Sequence, residues 1–192
     1  MKASPISITE LIGLVFWITL GGLRLLEAWQ NARVIPALLA AQSGLITWLL
    51  VTRRQQAIEA SRSQKIVSWA SAFFPLALRI HYERLFGQII TGLGLLLALW
   101  AMGTLGRSFG ITPADRGIVS DGPYRFIRHP MYLGELISLA GAVIGDPSIW
   151  NLMLIHLLFL TLLLRMRWEE LVVFNYASYA GQVRWRLIPG IW

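Results

Sequence analysis

Residues 85–105 read LFGQIITGLGLLLALWAMGTL, an uninterrupted run without a charged side chain. An α-helix needs about 20 such residues to cross the hydrocarbon core of a bilayer. Five further apolar blocks accompany this run along the chain, at 11–29, 34–52, 66–80, 132–144 and 149–164. The repetition predicts an all-α, polytopic integral membrane protein with about five or six transmembrane helices.

Three of the blocks are shorter than a full span. Block 66–80 contains Pro75, which leaves open whether it crosses the membrane and on which side the amino terminus lies. Blocks 132–144 and 149–164 are separated by Asp146-Pro147-Ser148. We expect these two to be tilted or to form a hairpin that lines a cavity.

The composition agrees with a membrane protein and excludes several other classes. Of 192 residues, 56% are hydrophobic and 14% charged, against about 45–50% and 25% in soluble domains. The absence of cysteine excludes a disulfide scaffold and a cysteine-ligated metal domain. Three scattered histidines give no reason to expect a metal site. The length suits one membrane domain over 1–192.

The basic residues lie mainly between the apolar blocks. They give a net charge of +7 and concentrate at 53–65, 107–128 and 165–186. With six spans these three regions share one side, which the positive-inside rule makes cytoplasmic, while Arg79 and Arg84 fall on the other. This pattern predicts contact with anionic membrane lipid and not with nucleic acid. Short loops rich in arginine suit a bacterial inner membrane.

Two polar stretches border the membrane, at 117–135 and 165–189. In the first, Pro130 suits the first turn of a helix, which places Arg125, Arg128 and His129 beside a helix amino terminus. Such a place can bind a carboxylate or phosphate. The alternative is an anchor in which these side chains touch lipid headgroups.

The acidic residues of these stretches leave two readings open. Glu135 lies in an apolar segment, where an acid usually faces a cavity or a partner, although a helix start also favours it. Glu169 and Glu170 follow Arg165 and Arg167 at a spacing that surface ion pairs explain. The functional alternative is recognition of ribose hydroxyls or an ammonium group. No nucleotide-binding glycine motif, P-loop or hydrolase motif accompanies them.

The order of motifs resembles a known superfamily. G-P-Y-R-F-I-R-H-P-M-Y-L-G-E at 122–135, R-x-x-x-E-E at 165–170 and Y-x-x-Y at 176–179 resemble the isoprenylcysteine carboxyl methyltransferases and phospholipid methyltransferases. The resemblance covers about 85–189, a methyltransferase-like catalytic half, and leaves 1–84 as spans without a matched motif.

This resemblance implies an S-adenosylmethionine-dependent methyltransferase, with O-methyl transfer favoured. Its cofactor site would lie at the cytoplasmic carboxyl-terminal side, and a lipophilic acceptor would enter from the bilayer. By motif position, the implied cofactor-binding residues are Tyr124, His129, Pro130, Tyr132, Gly134, Glu169, Glu170 and Tyr179. The implied catalytic residues are Arg128, Glu135, Arg165 and Glu169.

The acceptor and the oligomeric state stay open. Ala180-Gly181-Gln182 stands where the prenylcysteine enzymes carry a basic cluster, so the resemblance implies methyl transfer without naming the acceptor. Two other classes remain as alternatives: an NADPH-dependent membrane enzyme similar to sterol reductases, and a non-enzymatic membrane scaffold.

Overall fold

The computed structural model describes residues 8–54, 60–78 and 84–192, so that Arg79 lies outside the described residues. In this part of the chain the regular structure consists of α-helices, with short 3-10 turns and one isolated β-bridge. The helices are α1 (Ile8–Asn31), α2 (Val34–Thr52), α3 (Arg62–Phe73), α4 (Leu85–Leu105), α5 (Pro130–Gly145), α6 (Ile149–Val172) and α7 (Tyr176–Gln182).

Four of the described helices, α1, α2, α4 and α6, are long and apolar enough to cross a membrane. The apolar helix α5 is shorter, at 16 residues. Many large apolar side chains of α1 and α4 are exposed at the surface of the bundle, as expected of helix faces that contact lipid. The prediction of an all-α, polytopic integral membrane protein is confirmed.

The described part of block 66–80, up to residue 78, forms a broken segment. α3 gives way to the 3-10 turn Phe74–Ala77 because Pro75 cannot continue the α-helical hydrogen-bond ladder. The last carbonyl of this turn accepts a 2.8 Å bond from Trp150 Nε1 at the start of α6. Near the other end of α6, Arg165 donates to Ser71 Oγ over 3.1 Å. The segment therefore lies alongside α6.

The sixth block is longer than its sequence pattern indicated. We expected it to end at residue 164, whereas α6 continues to Val172. The added residues contain no glycine or proline and include arginine, methionine, leucine and glutamate, which are good helix formers. Glu169 and Glu170 therefore belong to the last turns of α6 and do not follow it.

Glycines bring α4 and α5 into close contact. A Cβ atom on Gly94 would lie 2.2 Å from the backbone nitrogen of Ser138. A Cβ atom on Gly87 would lie 2.8 Å from the carbonyl oxygen of Gly141 and 2.9 Å from the nitrogen of Gly145. Gly141 and Gly145 are four residues apart, a spacing of small residues that permits such an approach between membrane helices.

The helix ends nearest the basic loops meet at one end of the bundle, the polar end. Arg53, after α2, pairs with Glu10 at the start of α1. The Arg54 nitrogen donates to the Arg107 carbonyl, after α4, over 2.7 Å. The last turns of α6 contact the start of α5 there. Arg84 lies at the opposite end, where it donates to the last turn of α5.

Candidate active site

Two cavities lie on either side of a thin partition. The end cavity, about 760 Å³ with its open mouth, opens at the polar end between the loop after α4, the start of α5, the end of α6 and α7. The interior cavity, about 1120 Å³ with its mouth, is largely apolar and lies between the long helices. In the partition, Phe109 and Ile111 line the interior cavity, Gly110 and Thr112 line the end cavity, and Met131 lines both.

Glu169 is an acidic side chain on the wall of the end cavity. The Tyr132 hydroxyl donates to its Oε1, and His129 Nδ1 lies 3.8 Å from its Oε2. The Glu169 side chain keeps 27% exposure, whereas Tyr132 is only 1% exposed. Glu169 can therefore accept further hydrogen bonds from a molecule in the cavity.

Glu170 has a different environment from its neighbour. Arg186 donates two bonds to its carboxylate over 2.9 and 2.8 Å. Arg128 and the Tyr176 hydroxyl also donate to it, and His129 Nε2 lies 3.3 Å away. Its side chain is 9% exposed, and it is not part of the wall of the end cavity. We expected Glu170 at the cofactor, but its carboxylate is occupied by protein groups.

These contacts hold the carboxyl-terminal strap, residues 183–192, against the start of α5. The Arg128 nitrogen donates to the Trp185 carbonyl over 2.8 Å, and the His129 nitrogen to the Arg186 carbonyl over 2.9 Å. The Trp192 carbonyl accepts three backbone N–H groups and closes the strap on itself. Sequence reasoning missed the strap because no regular structure or motif marks it.

Arg165, which the resemblance implied to be catalytic, is buried at the partition. Its guanidinium donates to Ser71 Oγ and to the Ile111 carbonyl over 3.1 and 3.0 Å. The same group lies 5.0 Å from the centre of the Tyr132 ring. Within the described residues it forms no ion pair with Glu169, so the surface pair that the spacing allowed is not formed. Arg165 lines the interior cavity and ties α6 to α3 and the partition.

Glu135 lines the interior cavity, as an acid within an apolar segment was expected to do. Its carboxylate forms no hydrogen bond or ion pair across residues 8–54, 60–78 and 84–192. Ser138 donates to its backbone carbonyl and not to its side chain. Arg165, on the same wall, is the cation that interacts with it electrostatically.

Tyr124 and Tyr179 also line the end cavity. The Tyr179 hydroxyl donates to the Tyr124 carbonyl over 2.7 Å, which fastens α7 to the loop before α5. Burial raises the pKa of Tyr179 to about 12. Burial also raises the pKa of Tyr124 well above its ordinary value. Both hydroxyls therefore stay protonated at neutral pH.

Two residues that the resemblance implied at the cofactor lie at positions that set helix packing. Pro130 is buried at the first position of α5, where its missing N–H costs nothing. Gly134 faces α4, and a Cβ atom there would lie 2.5 Å from the Ala98 nitrogen. Neither residue is part of the wall of the end cavity. The motif therefore combines residues that line the cavity with residues that set helix packing.

Two arginines give the end cavity its positive side. Arg128 lines it, and its buried Nε atom has no hydrogen-bond partner among the described residues. Arg116, which sequence reasoning placed only in a basic loop, also lines it. Burial, with the nearby charge of Arg53, lowers the Arg116 pKa to about 10, so that it remains charged at neutral pH. Gly110 makes room for it, since a Cβ atom there would lie 2.3 Å from Arg116 Nη1.

The chain was also compared with known proteins. Residues 82–176 match the family model described as phospholipid methyltransferase. The match extends from just before α4 to the first residue of α7 and includes the partition and most of the end cavity. No curated protein sequence matches the chain significantly.

Proposed function

The chain belongs to the phospholipid methyltransferase family through residues 82–176, and from that premise we propose that this membrane methyltransferase moves a methyl group from S-adenosylmethionine to an oxygen of a lipophilic acceptor. The supporting observation is the pair of cavities, one polar and open at the bundle end, the other apolar and between the helices. Such an arrangement lets a polar donor and a lipid-soluble acceptor approach one partition from opposite sides.

The groups that line the end cavity fit S-adenosylmethionine chemically. The unpartnered Nε of Arg128 suits the carboxylate of the methionine part. Glu169 suits the ammonium group or the ribose hydroxyls, both of which donate hydrogen bonds. When bound, S-adenosylmethionine supplies a methyl group on a positively charged sulfur.

Residues of the chain would prepare the acceptor side. Glu135 has a carboxylate directed to the interior cavity without a protein hydrogen bond, so it would accept the proton of a hydroxyl acceptor. Arg165, held by Ser71 and Ile111, would keep the partition in position and balance the charge of Glu135. The apolar walls would exclude water from the acceptor oxygen. An oxygen with less hydration attacks the methyl group more readily.

We also propose that the polar end faces the cytoplasm, in a bacterial inner membrane. The support is the concentration of arginine at this end, with Arg53, Arg54, Arg107 and Arg128 near the cavity mouth. The positive-inside rule assigns such an end to the cytoplasm. S-adenosylmethionine is also made there, which fits a cavity that opens at the polar end.

Calorimetric titration of the detergent-purified protein with S-adenosylhomocysteine, S-adenosylmethionine and NADPH tests the proposal. We expect saturable binding of both adenosyl compounds and none of NADPH. Glu169→Gln and His129→Ala should each raise the Kd about tenfold, which is one lost charge-assisted hydrogen bond. Glu27→Gln, in an ion pair of α1 far from the cavity, is the matched control and should leave the Kd unchanged.

The same preparation allows a transfer assay. Methyl-labelled S-adenosylmethionine incubated with the protein and lipid-soluble phenols should give label that extracts into organic solvent. Folded protein that binds neither adenosyl compound would refute the proposal. Saturable NADPH binding instead would indicate a reductase.

A further inference from the structure

The interior cavity has polar side chains that fall into two groups. More than half of its wall comes from residues before position 79, outside the family match. Several of its polar groups already have partners within the helices. Ser43 donates to the Leu39 carbonyl over 2.9 Å, and Thr91 donates to the Ser138 carbonyl over 3.1 Å. These groups need nothing from an occupant of the cavity.

Gln42 and Glu135 form the second group. Both line the interior cavity, and neither side chain forms a hydrogen bond within the part of the chain that the structure describes. A polar group in an apolar environment is costly unless it is hydrogen-bonded. Polar side chains within membrane helices usually face a cavity or pathway for that reason. Their unmet hydrogen bonds point to a molecule that satisfies both.

The two side chains lie on different helices of the cavity wall. Gln42 belongs to α2 and Glu135 to α5. The helix α4 packs against both of them, and apolar side chains such as Ile46 and Leu95 line the cavity with them. A molecule that reaches both must have polar groups separated by an apolar spacer.

The surroundings of Gln42 indicate the chemistry of the group that it would bind. Its amide can both donate and accept a hydrogen bond. Arg24 also lines this part of the cavity, and its charge is balanced by Glu27 at 3.1 Å. Because no net charge is left there to neutralise, a neutral oxygen group fits better than an anion or a cation.

Building on the proposed function, we propose that the acceptor is polar at both ends, with a reacting hydroxyl beside Glu135 and a second neutral oxygen group, hydroxyl or carbonyl, bound by Gln42 on the α2 side of the cavity. The amino-terminal helices thereby select the acceptor, while the family-matched half holds the methyl donor. This reading gives a function to the part of the chain that carries no family motif.

The test compares two phenols that differ only at the far end, 4-hexylphenol and 4-(6-hydroxyhexyl)phenol. Each is titrated calorimetrically into wild type, Gln42→Leu and Gln30→Leu, in the same detergent and without a methyl donor. Gln30 is exposed near the end of α1 and is not part of the cavity wall, so it is the matched control. Ratios between variants cancel the different partitioning of the two phenols into micelles.

Gln42→Leu should weaken binding of the two-ended phenol about tenfold, as expected for one hydrogen bond in an apolar site, and should leave 4-hexylphenol unaffected. Gln30→Leu should bind both phenols as wild type does. Equal effects of Gln42→Leu on the two phenols, or no effect on either, would overturn the proposal. Because no cofactor is present, this outcome is independent of the S-adenosylhomocysteine titration, which decides the methyl transfer separately.

Discussion

Replacement of Arg186 by methionine tests whether Glu170 holds the strap and, through it, the end cavity. The guanidinium of Arg186 donates two bonds to Glu170. Arg184 is the matched control, because it belongs to the same strap but lies over the Trp185 ring, 5.0 Å from its centre. Arg186→Met should loosen the strap, whereas Arg184→Met should not.

The magnitude follows from the environment of the pair. A hydrogen bond to a charged group contributes about 1.5–3 kcal/mol. Arg186 keeps 26% side-chain exposure, so that solvent weakens both of its bonds. Glu170 also retains Arg128 and Tyr176 as partners. We therefore expect the free energy of strap opening to fall by about 2 kcal/mol, which is about a thirtyfold increase in the open population.

Hydrogen exchange measures this opening directly. The amides of Arg128 and His129 donate to carbonyls of the strap, so they should exchange about thirtyfold faster in Arg186→Met when local opening limits exchange. The Kd for S-adenosylhomocysteine should rise in the same variant, since both residues line the end cavity. Equal exchange rates in Arg186→Met and Arg184→Met would refute the reasoning.

Three further substitutions have expected outcomes that thermal unfolding in detergent can measure. Gly94→Ala should cost about 1–3 kcal/mol, because its Cβ would overlap the α5 backbone; Gly103→Ala, with open space around it, should cost nothing. Arg165→Met should cost about 3 kcal/mol by leaving two buried acceptors without their donor, while the exposed Arg167→Met should change stability by less than about 0.5 kcal/mol. Tyr179→Phe should cost about 1 kcal/mol. Since burial raises the Tyr179 pKa to about 12, the tyrosine's contribution should be complete below about pH 10 and disappear as the pH rises through 12.

The sequence predicted the structure best where one physical requirement dominates. Apolar blocks mark helices because a membrane leaves few other ways to satisfy the backbone. The end of α6 was missed for the complementary reason. Arg165 and Glu169 interrupt the hydropathy signal, yet both are good helix formers, and the protein around them replaces the lipid. A charged residue marks where the surface of a helix stops being apolar enough to face lipid, but it does not mark where the helix itself ends.

The different contacts of the two neighbouring acids, Glu169 and Glu170, show a second limit of prediction from sequence. Successive residues of a helix point about 100° apart, so Glu169 and Glu170 cannot both face one cavity in the same way. Which of them faces it depends on the strap, because Arg186 lies sixteen residues away from Glu170, beyond α7, in a strap without a helix or strand. No local pattern could indicate that pairing. The motif thus named residues that the structure brings together, while the different contacts of Glu169 and Glu170 could be seen only in the fold.

The interior cavity is the feature that sequence patterns conceal most completely. A leucine or isoleucine that faces a cavity satisfies the same hydropathy pattern as one that faces lipid. Gln42 is the visible exception in block 34–52, which has no charged residue. A polar side chain there makes sense once α2 is seen to line a cavity shared with Glu135. An isolated amide within an apolar block is thus a signal for an internal binding site, whenever the packed helices offer it no partner.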